Sequence, residues 1–320
     1  MCKRALVAAT LLLVGNESNA VPISLPYTAD FEATGGARWQ SIAGNEGSAG
    51  DIDLDGPTGN AWRDAEFGNN SDPYDDFGIF ALDGRLINNP DDTVELTAFS
   101  GVGELLQFDT LTQSGLSVSM DYFFSENDPF ARFGLFIEND TDSSITTTLR
   151  GGGDLGSDSF TDLHLTSSGD ATATTADTWS LTTDNGGASA NEIVSFAWGL
   201  GATDLGIASG ADDIWAEFTV DIGANESLYY AFFTGLEDNR ARGVTQAQNT
   251  FASITAIQNA GLLTGLSNEQ LSNLRNWERV SVPAPATLAL FGVGLAGVGR
   301  IRKTGVLPAV NRGASEDAGN

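Results

Sequence analysis

The stretch LSVSMDYFF, Leu116–Phe124, has the period-two pattern of a β-strand that turns one face to a core. Its apolar positions are Leu116, Val118, Met120, Tyr122 and Phe124, and the positions between them are Ser117, Ser119, Asp121 and Phe123. Residues 214–222 alternate in the same way, and shorter strand candidates lie at 94–99, 132–138, 193–198 and 228–233. Clusters of glycine, aspartate, asparagine and serine separate these runs, as turns between strands require. The sequence therefore predicts a mostly β protein, an antiparallel β-sandwich.

The predicted sandwich covers residues 21–235, and a helical pattern follows it. Apolar residues recur at helical spacing within 244–259, and Ser267 with Gln270 has the form of a capping box before a second short helix. We expect residues 236–281 to be a short C-terminal helical appendage and linker, because the two prolines that follow cannot continue a helix.

One polar stretch inside the sandwich region, residues 166–191, is rich in threonine, serine and aspartate. It is open to two interpretations, a mobile loop or a loop that contains edge strands.

The N-terminus, residues 1–20, has the three parts of a secretory signal peptide. Lys3 and Arg4 precede a short apolar run, and small residues end the segment at Ala20. We expect cleavage after Ala20; the alternative is a short buried helix at the start of the domain. The only cysteine, Cys2, lies inside this segment, so the mature chain has to be stabilised by core burial, by ions or by both.

The predicted body is strongly acidic. Between the signal peptide and Pro283 the sequence has 40 acidic residues and nine basic ones, all arginine, for a net charge of −31. Such a charge repels phosphate backbones and anionic lipid headgroups, which argues against nucleic-acid binding and against docking on a membrane surface. It suits cation binding, or solubility in a salty habitat.

The segment VPAPATLALFGVGLAGVGRIRK, residues 282–303, looks like a short membrane span. Its uncharged stretch 284–299 has sixteen residues and ends at Arg300, Arg302 and Lys303. Sixteen helical residues cover about 24 Å, less than the ~30 Å of a hydrocarbon core. The segment therefore predicts one short C-terminal transmembrane helix over 286–299 with its basic end inside.

Read as a unit, this C-terminus resembles the PEP-CTERM sorting signal of Gram-negative bacteria, with alanine in place of the glutamate and seventeen residues after the basic cluster. The residues that carry the resemblance are Val282, Pro283, Ala284, Pro285, Arg300, Arg302 and Lys303. The resemblance implies export through the inner membrane, an exosortase-like sorting enzyme as partner, and residues 304–320 as a cytoplasmic tail. It also implies a cell-surface or extracellular-matrix location in a bacterium that makes exopolysaccharide. The alternative is a plain single-span anchor that is never processed.

A candidate calcium loop lies at Asp51, Asp53 and Asp55, followed by Gly56. Carboxylates at positions one, three and five with glycine at six can curl around a calcium ion. The twelfth position holds Trp62 instead of a bidentate glutamate, so the loop is at most partial, and a solvated acidic turn is the alternative.

The same residues offer an enzyme interpretation, because Asp51-Ile52-Asp53-Leu54-Asp55 resembles the Glu-Ile-Asp-x-Glu strand of laminarinase-like glycoside hydrolases. Retaining catalysis needs carboxyl groups ~5–5.5 Å apart, whereas residues four apart on a strand lie about 13 Å apart at their α-carbons. The single histidine, His164, has no cysteine with which to form a catalytic pair. We therefore expect no catalytic residues and a non-enzymatic body.

Aromatic residues leave a carbohydrate-binding module open as a further alternative. They could form a platform for sugar rings or belong to the core; they are Trp39, Trp62, Tyr74, Trp179, Trp198 and Trp215. The opening YTADFE, Tyr27–Glu32, resembles the first strand of concanavalin A-like and other jelly-roll modules. The expected role is a surface or biofilm-matrix protein that associates with extracellular polysaccharide.

Overall fold

The computed structural model describes residues 20–24, 31–32, 38–46, 59–67, 73–87, 93–156, 161–184, 193–207, 209–210 and 213–278. The chain divides into two compact units, Met1–Val280 and Ser281–Asn320, and every described residue lies in the first. Within these ranges the chain forms eighteen β-strands and three short helices. The prediction of a mostly β, antiparallel fold is confirmed.

The larger sheet, sheet A, has ten strands among the described residues, and each is antiparallel to its neighbours. In spatial order they are β1 (Ala20–Ser24), β7 (Thr93–Phe99), β8 (Gly103–Gln107), β10 (Leu116–Ser125), β11 (Phe130–Glu138), β18 (Ser227–Glu237), β15 (Ile193–Ala197), β14 (Trp179–Asp184) and β13 (Thr161–Thr166), with β9 (Leu111–Gln113) beside β10. The stretch Leu116–Phe124 thus lies in β10, near the middle of this sheet.

The smaller sheet, sheet B, has eight described strands and is antiparallel as well. Their order is β16 (Asp204–Gly206), β17 (Asp213–Ile222), β12 (Ile145–Asp154), β5 (Asp76–Leu82), β4 (Gly59–Glu66), β3 (Arg38–Glu46) and β2 (Phe31–Glu32), with β6 (Arg85–Leu86) beside β5.

The two sheets pack face to face through aromatic side chains, which makes the fold a β-sandwich. Phe80 of sheet B lies 5.4 Å from Phe133 and 5.5 Å from Phe232 of sheet A, measured between ring centroids. Phe133 and Phe232 stack on each other at 5.2 Å, and all three rings are fully buried. Aromatic burial of this kind supplies the stabilisation that a domain without disulfides needs. The finer assignment to a jelly-roll or concanavalin A-like fold stays a prediction.

A second core lies on the outer face of sheet A, under three helices: α1 (Arg240–Thr250), α2 (Ile254–Asn259) and α3 (Asn268–Ser272). Phe251, just after α1, meets Phe130 of β11 edge to face at 5.6 Å. Ser253 caps α2, so the predicted helical stretch 244–259 is two helices instead of one. The capping box of Ser267 and Gln270 is present at the start of α3.

The helical layer corrects the prediction that β10 is buried on one face only. Ser117 and Ser119 are partly exposed, but Asp121 and Phe123, which alternate with the interior residues, are also buried. Phe123 belongs to the second core because the helices cover that part of the strand. Sheet A is therefore buried on both faces along the second half of β10.

The described residues begin at Ala20, the predicted cleavage site, and end at Glu278, before the predicted transmembrane helix. Ala20, the predicted cleavage site, begins β1, and cleavage after it leaves Val21–Ser24 paired with β7. Among the described helices, none is long and apolar enough to cross a membrane. The predicted transmembrane helix, 286–299, lies outside the described residues, as does the signal peptide up to Asn19.

The polar stretch between β13 and β14 is a loop, and it is ordered around one buried aspartate, Asp177. Its carboxylate accepts hydrogen bonds from the Ser167 hydroxyl, the Ser168 amide, and both the amide and hydroxyl of Thr174. Burial alone would raise the pKa of Asp177, but these bonds outweigh it and hold the pKa below its ordinary value. The strand that follows, β14, lies between two other strands and is not an edge strand.

Replacing Asp177 by alanine is expected to lower the free energy of unfolding by about 1–3 kcal/mol, because four donors lose their acceptor. Because the folded pKa of Asp177 lies below the unfolded one, its charge stabilises the fold above an unfolded pKa of about 3.9 and stops doing so as the pH falls through the folded pKa. Urea denaturation of the native protein and of Asp177→Ala at several pH values measures the free energy of unfolding and its pH dependence. The control is Asp221→Ala, because Asp221 is exposed and accepts one hydroxyl bond, from Thr146. An equal loss of unfolding free energy in both variants would show that the four hydrogen bonds to Asp177 do not set its contribution.

Candidate functional site

The end of the described chain, residues 273–277, fills a gap in sheet A next to β18; we call it the closing segment. Strand β15 pairs with β18 only from Phe233 to Glu237, which leaves the first half of β18 without a strand on that side. The Tyr229 amide donates to the Asn273 carbonyl at 2.9 Å, and the Arg275 amide donates to the Tyr229 carbonyl at 2.9 Å. The closing segment therefore continues the sheet, as a short parallel neighbour of β18 at Leu274.

Asn276 extends this pairing with its side chain. Its Oδ1 accepts from the Ala231 amide at 3.0 Å, and its Nδ2 donates to the Ala231 carbonyl at 2.7 Å and to the Trp198 carbonyl at 2.8 Å. One buried side-chain amide thus satisfies both backbone groups of Ala231, as a neighbouring strand would. The Asn276 carbonyl accepts from the Leu200 amide at 2.6 Å.

Trp277 completes the contact with its indole. Its Nε1 donates to the Ala231 carbonyl at 2.8 Å, and its ring meets Phe233 edge to face at 5.5 Å. The turn after β15 comes close because Gly199 has no side chain; a Cβ there would stand 1.8 Å from the Asn276 carbonyl oxygen. The closing segment is thus fixed by backbone, amide and indole contacts together, four residues before Ser281.

A buried ion pair fixes the helical layer to the same face of the sheet. Arg132 on β11 is fully buried and donates from Nε and Nη2 to Asp121 Oδ1 on β10, at 3.0 and 2.8 Å. Its Nη1 donates to the carbonyls of Leu262 and Thr264, at 2.6 and 3.0 Å, in the turn before α3. The guanidinium therefore holds that turn against the sheet.

Tyr229 joins this pair from β18 and donates to Asp121 Oδ2 at 2.8 Å. Burial, and then the charge of Asp121, raises the pKa of Tyr229 well above its ordinary value, so the hydroxyl stays protonated. The ring reaches Asp121 by lying over Gly134, where a Cβ would stand 1.9 Å from the hydroxyl oxygen. Each group already has its partners, which makes the cluster a structural element and not an acid–base pair for a substrate.

Two carboxylates of the described chain have raised pKa values. Burial and the neighbouring Glu126 raise the pKa of Glu104, and burial with Asp140 and Glu269 raises that of Glu138.

Among the described residues, no three or more Asp, Glu, His or Cys side chains lie together in a way that holds a metal ion. The predicted calcium ligands Asp51, Asp53 and Asp55 lie outside these residues, so calcium binding there stays a prediction.

His164 lies on the edge strand β13, at a break in the pairing register with β14. Burial and then Arg240 lower its pKa, while Asp162 opposes them, so the imidazole is neutral near pH 7.

The aromatic residues suggested as a sugar platform belong mostly to the two cores. Trp39, Tyr74, Trp179 and Trp198 are buried, which contradicts a platform made of them. Trp215 lies on the outer face of sheet B, where the guanidinium of Arg150 stacks on its ring at 3.8 Å. The side chain of Trp62 lies outside the description.

Beyond the closing segment, residues 281–303 match the family described as the PEP-CTERM protein-sorting motif. The chain carries a PEP-CTERM sorting motif. The match covers the predicted signal 282–303 and begins three residues after Glu278. A PEP-CTERM motif implies export, sorting at the membrane or cell surface, and an exosortase as partner.

Two solved structures are similar to the PEP-CTERM-bearing chain at a low level. One is a "putative aldose 1-epimerase" from Klebsiella pneumoniae, at 7% identity and a TM-score of 0.37, covering 61% of this chain and 63% of that chain. The other is a "putative kojibiose phosphorylase" from the human microbiome, at 10% identity and a TM-score of 0.32, covering 75% of this chain and 37% of that chain. The chain thus spans less than two thirds of either protein, and the likeness is too low to bear on activity. No curated protein matches the sequence.

The sequence did not reveal the closing segment or the Asp121–Arg132 pair as important. A weak signal existed for the pair, because a lone arginine stands inside the apolar run FARFGLFI and a lone aspartate inside LSVSMDYFF. Charges in such runs need a buried partner. Nothing in the sequence around Asn276 and Trp277 indicates that these two residues pair with Ala231.

Proposed function

We propose that this chain is an exported, non-enzymatic protein of a Gram-negative bacterium, delivered to the cell surface or extracellular matrix by an exosortase-like enzyme. The PEP-CTERM match at 281–303 carries the proposal. In it, Val282–Pro285 is recognised, 286–299 holds the chain in the inner membrane for a time, and Arg300, Arg302 and Lys303 keep the short tail inside. The signal peptide 1–20 starts the export.

The construction of the body is compatible with a location outside the cytoplasm. The only cysteine stands in the predicted signal peptide, so the mature chain has no disulfide to form in an oxidising compartment. Stability comes instead from two apolar cores, one between the sheets and one under the helices. A fold held in this way does not depend on a redox environment or on an oxidase.

In the proposed role the body associates with extracellular polysaccharide in a biofilm. Its charge of −31 favours neutral or amine-bearing polymers, or acidic ones bridged by calcium at Asp51, Asp53 and Asp55. The carbohydrate-binding module and the glycoside hydrolase are the alternatives to this matrix role. The hydrolase alternative depends on Asp51–Asp55, and the carbohydrate-binding alternative depends in part on Trp62. These side chains lie outside the described ones.

A proline substitution tests the sorting step. We expect the double variant Pro283→Ala, Pro285→Ala to stay in the membrane fraction, whereas the native chain is released, because the recognised motif is lost. The matched control is Pro308→Ala, which changes a proline in the tail that sorting discards. Fractionation and immunoblotting in the native host measure the outcome. Equal release of the double variant and the control would overturn the proposal.

A further inference from the structure

We infer that the closing segment is the anchor point of the sorting tail, and that Asn276 and Trp277 are positioning residues for the sorting step. This inference rests on the proposed function, since it concerns how the body presents the motif. The segment lies at the end of the described chain, and seven of its hydrogen bonds go to sheet A or to the turn after β15.

The closing segment is held by many hydrogen bonds and by buried side chains. Tyr229, Ala231, Trp198 and Leu200 all bond to the closing segment, through seven hydrogen bonds between 2.6 and 3.0 Å. Asn276 is fully buried and Trp277 is 6% exposed. A segment with buried side chains and several hydrogen bonds to a sheet opens only rarely, unlike an ordinary chain end.

The anchor leaves only a short length of chain before the motif. Val282 is four positions after Glu278, so their α-carbons can be at most about 14 Å apart in any conformation. A folded domain of this size has a radius of gyration of about 18 Å. A sorting enzyme that acts at Val282–Pro285 must therefore approach closely to the body, which limits its access to the motif.

Release of the closing segment would change this spacing. Freeing residues 273–278 makes Ser272 the last fixed residue, ten positions before Val282, and extends the maximal reach from about 14 Å to about 34 Å. In this proposal the anchor limits the length of chain available to the motif and so slows its processing. Loosening the anchor, or lengthening the chain behind it, is expected to speed the sorting step.

Trypsin tests the anchor on the purified full-length chain, because Arg275 lies inside the closing segment and Arg279 just after it. In the native protein we expect cleavage after Arg279 before cleavage after Arg275. In Asn276→Ala, cleavage after Arg275 should be roughly tenfold faster or more, since the hydrogen bonds that oppose local opening are lost. Mass spectrometry separates the two products. Equal rates at both arginines in the native chain would overturn the anchor, as would cleavage of all arginines together in the variant.

Sorting in the native host tests the positioning role with two independent changes. One is Asn276→Ala, and the other is an insertion of five glycine and serine residues after Glu278, which leaves every contact of the closing segment intact. Faster release of both, relative to the native chain, supports the inference. Faster release of Asn276→Ala alone overturns it, because spacing would then have no effect, and unchanged release of both overturns it as well. If the native chain is never processed, the proposed function fails, and the positioning role fails with it; the trypsin result then bears on the anchor alone.

Discussion

Replacing Arg132 by alanine is expected to lower the free energy of unfolding by about 3–5 kcal/mol, the largest effect of any single polar substitution in the described chain. The loss leaves Asp121 buried with its Oδ1 unpaired, and it leaves the carbonyls of Leu262 and Thr264 without a donor. The turn before α3 then loses its attachment to sheet A. Urea denaturation followed by tryptophan fluorescence measures the loss.

Arg150→Ala is the matched control for this prediction. Arg150 also pairs with a carboxylate across neighbouring strands, Glu217 at 3.0 Å, but both side chains are about one quarter exposed. Partly exposed pairs contribute about 0–1 kcal/mol and the stacking of Arg150 on Trp215 about 0.5–2 kcal/mol, so the control is expected to lose less free energy of unfolding than Arg132→Ala. A loss for Arg132→Ala no greater than that for Arg150→Ala would show that burial does not set the strength of the pair.

Replacing Gly199 by alanine is the second large effect expected. The new Cβ would stand 1.8 Å from the Asn276 carbonyl oxygen, so either the turn after β15 or the closing segment must move. The residue also has a φ of +80°, which alanine adopts at a cost of ~1–2 kcal/mol. The collision adds about 1–3 kcal/mol to that strain.

Gly201→Ala separates the two contributions, because Gly201 has a φ of +86° and open space around its α-carbon. We expect it to show the strain alone and to leave the closing segment in place. Thermal unfolding and trypsin cleavage after Arg275 together measure both variants. Gly199→Ala should unfold earlier and expose Arg275; identical behaviour of the two variants would refute the contact with Asn276.

Local patterns were enough to predict six of the eighteen described strands and the sorting motif. The alternation in Leu116–Phe124 reflects the pleat of a single strand, and the motif is a continuous run of sequence. The helix caps at Ser267 and Gln270 are also short-range chemistry. In each case the deciding contacts lie within a few residues of one another.

Other features depend on contacts between distant parts of the chain, and these could not be predicted. Phe123 is buried because residues about 130 positions later fold back over β10, which no pattern around Phe123 records. Asn276 pairs with Ala231 only because β15 ends early and leaves β18 open. Asp177 also could not be singled out from composition, although its partners lie within ten residues of it. Its carboxylate orders a stretch whose composition is that of a loop.

The intact mass of the exported protein, purified from the native host, tests the central claim most directly. We expect a chain that begins at Val21 and ends near Pro283–Pro285, without the membrane segment and without residues 304–320. An exported protein that still carries Gly305–Asn320 would contradict sorting by cleavage and would make the C-terminus a permanent anchor.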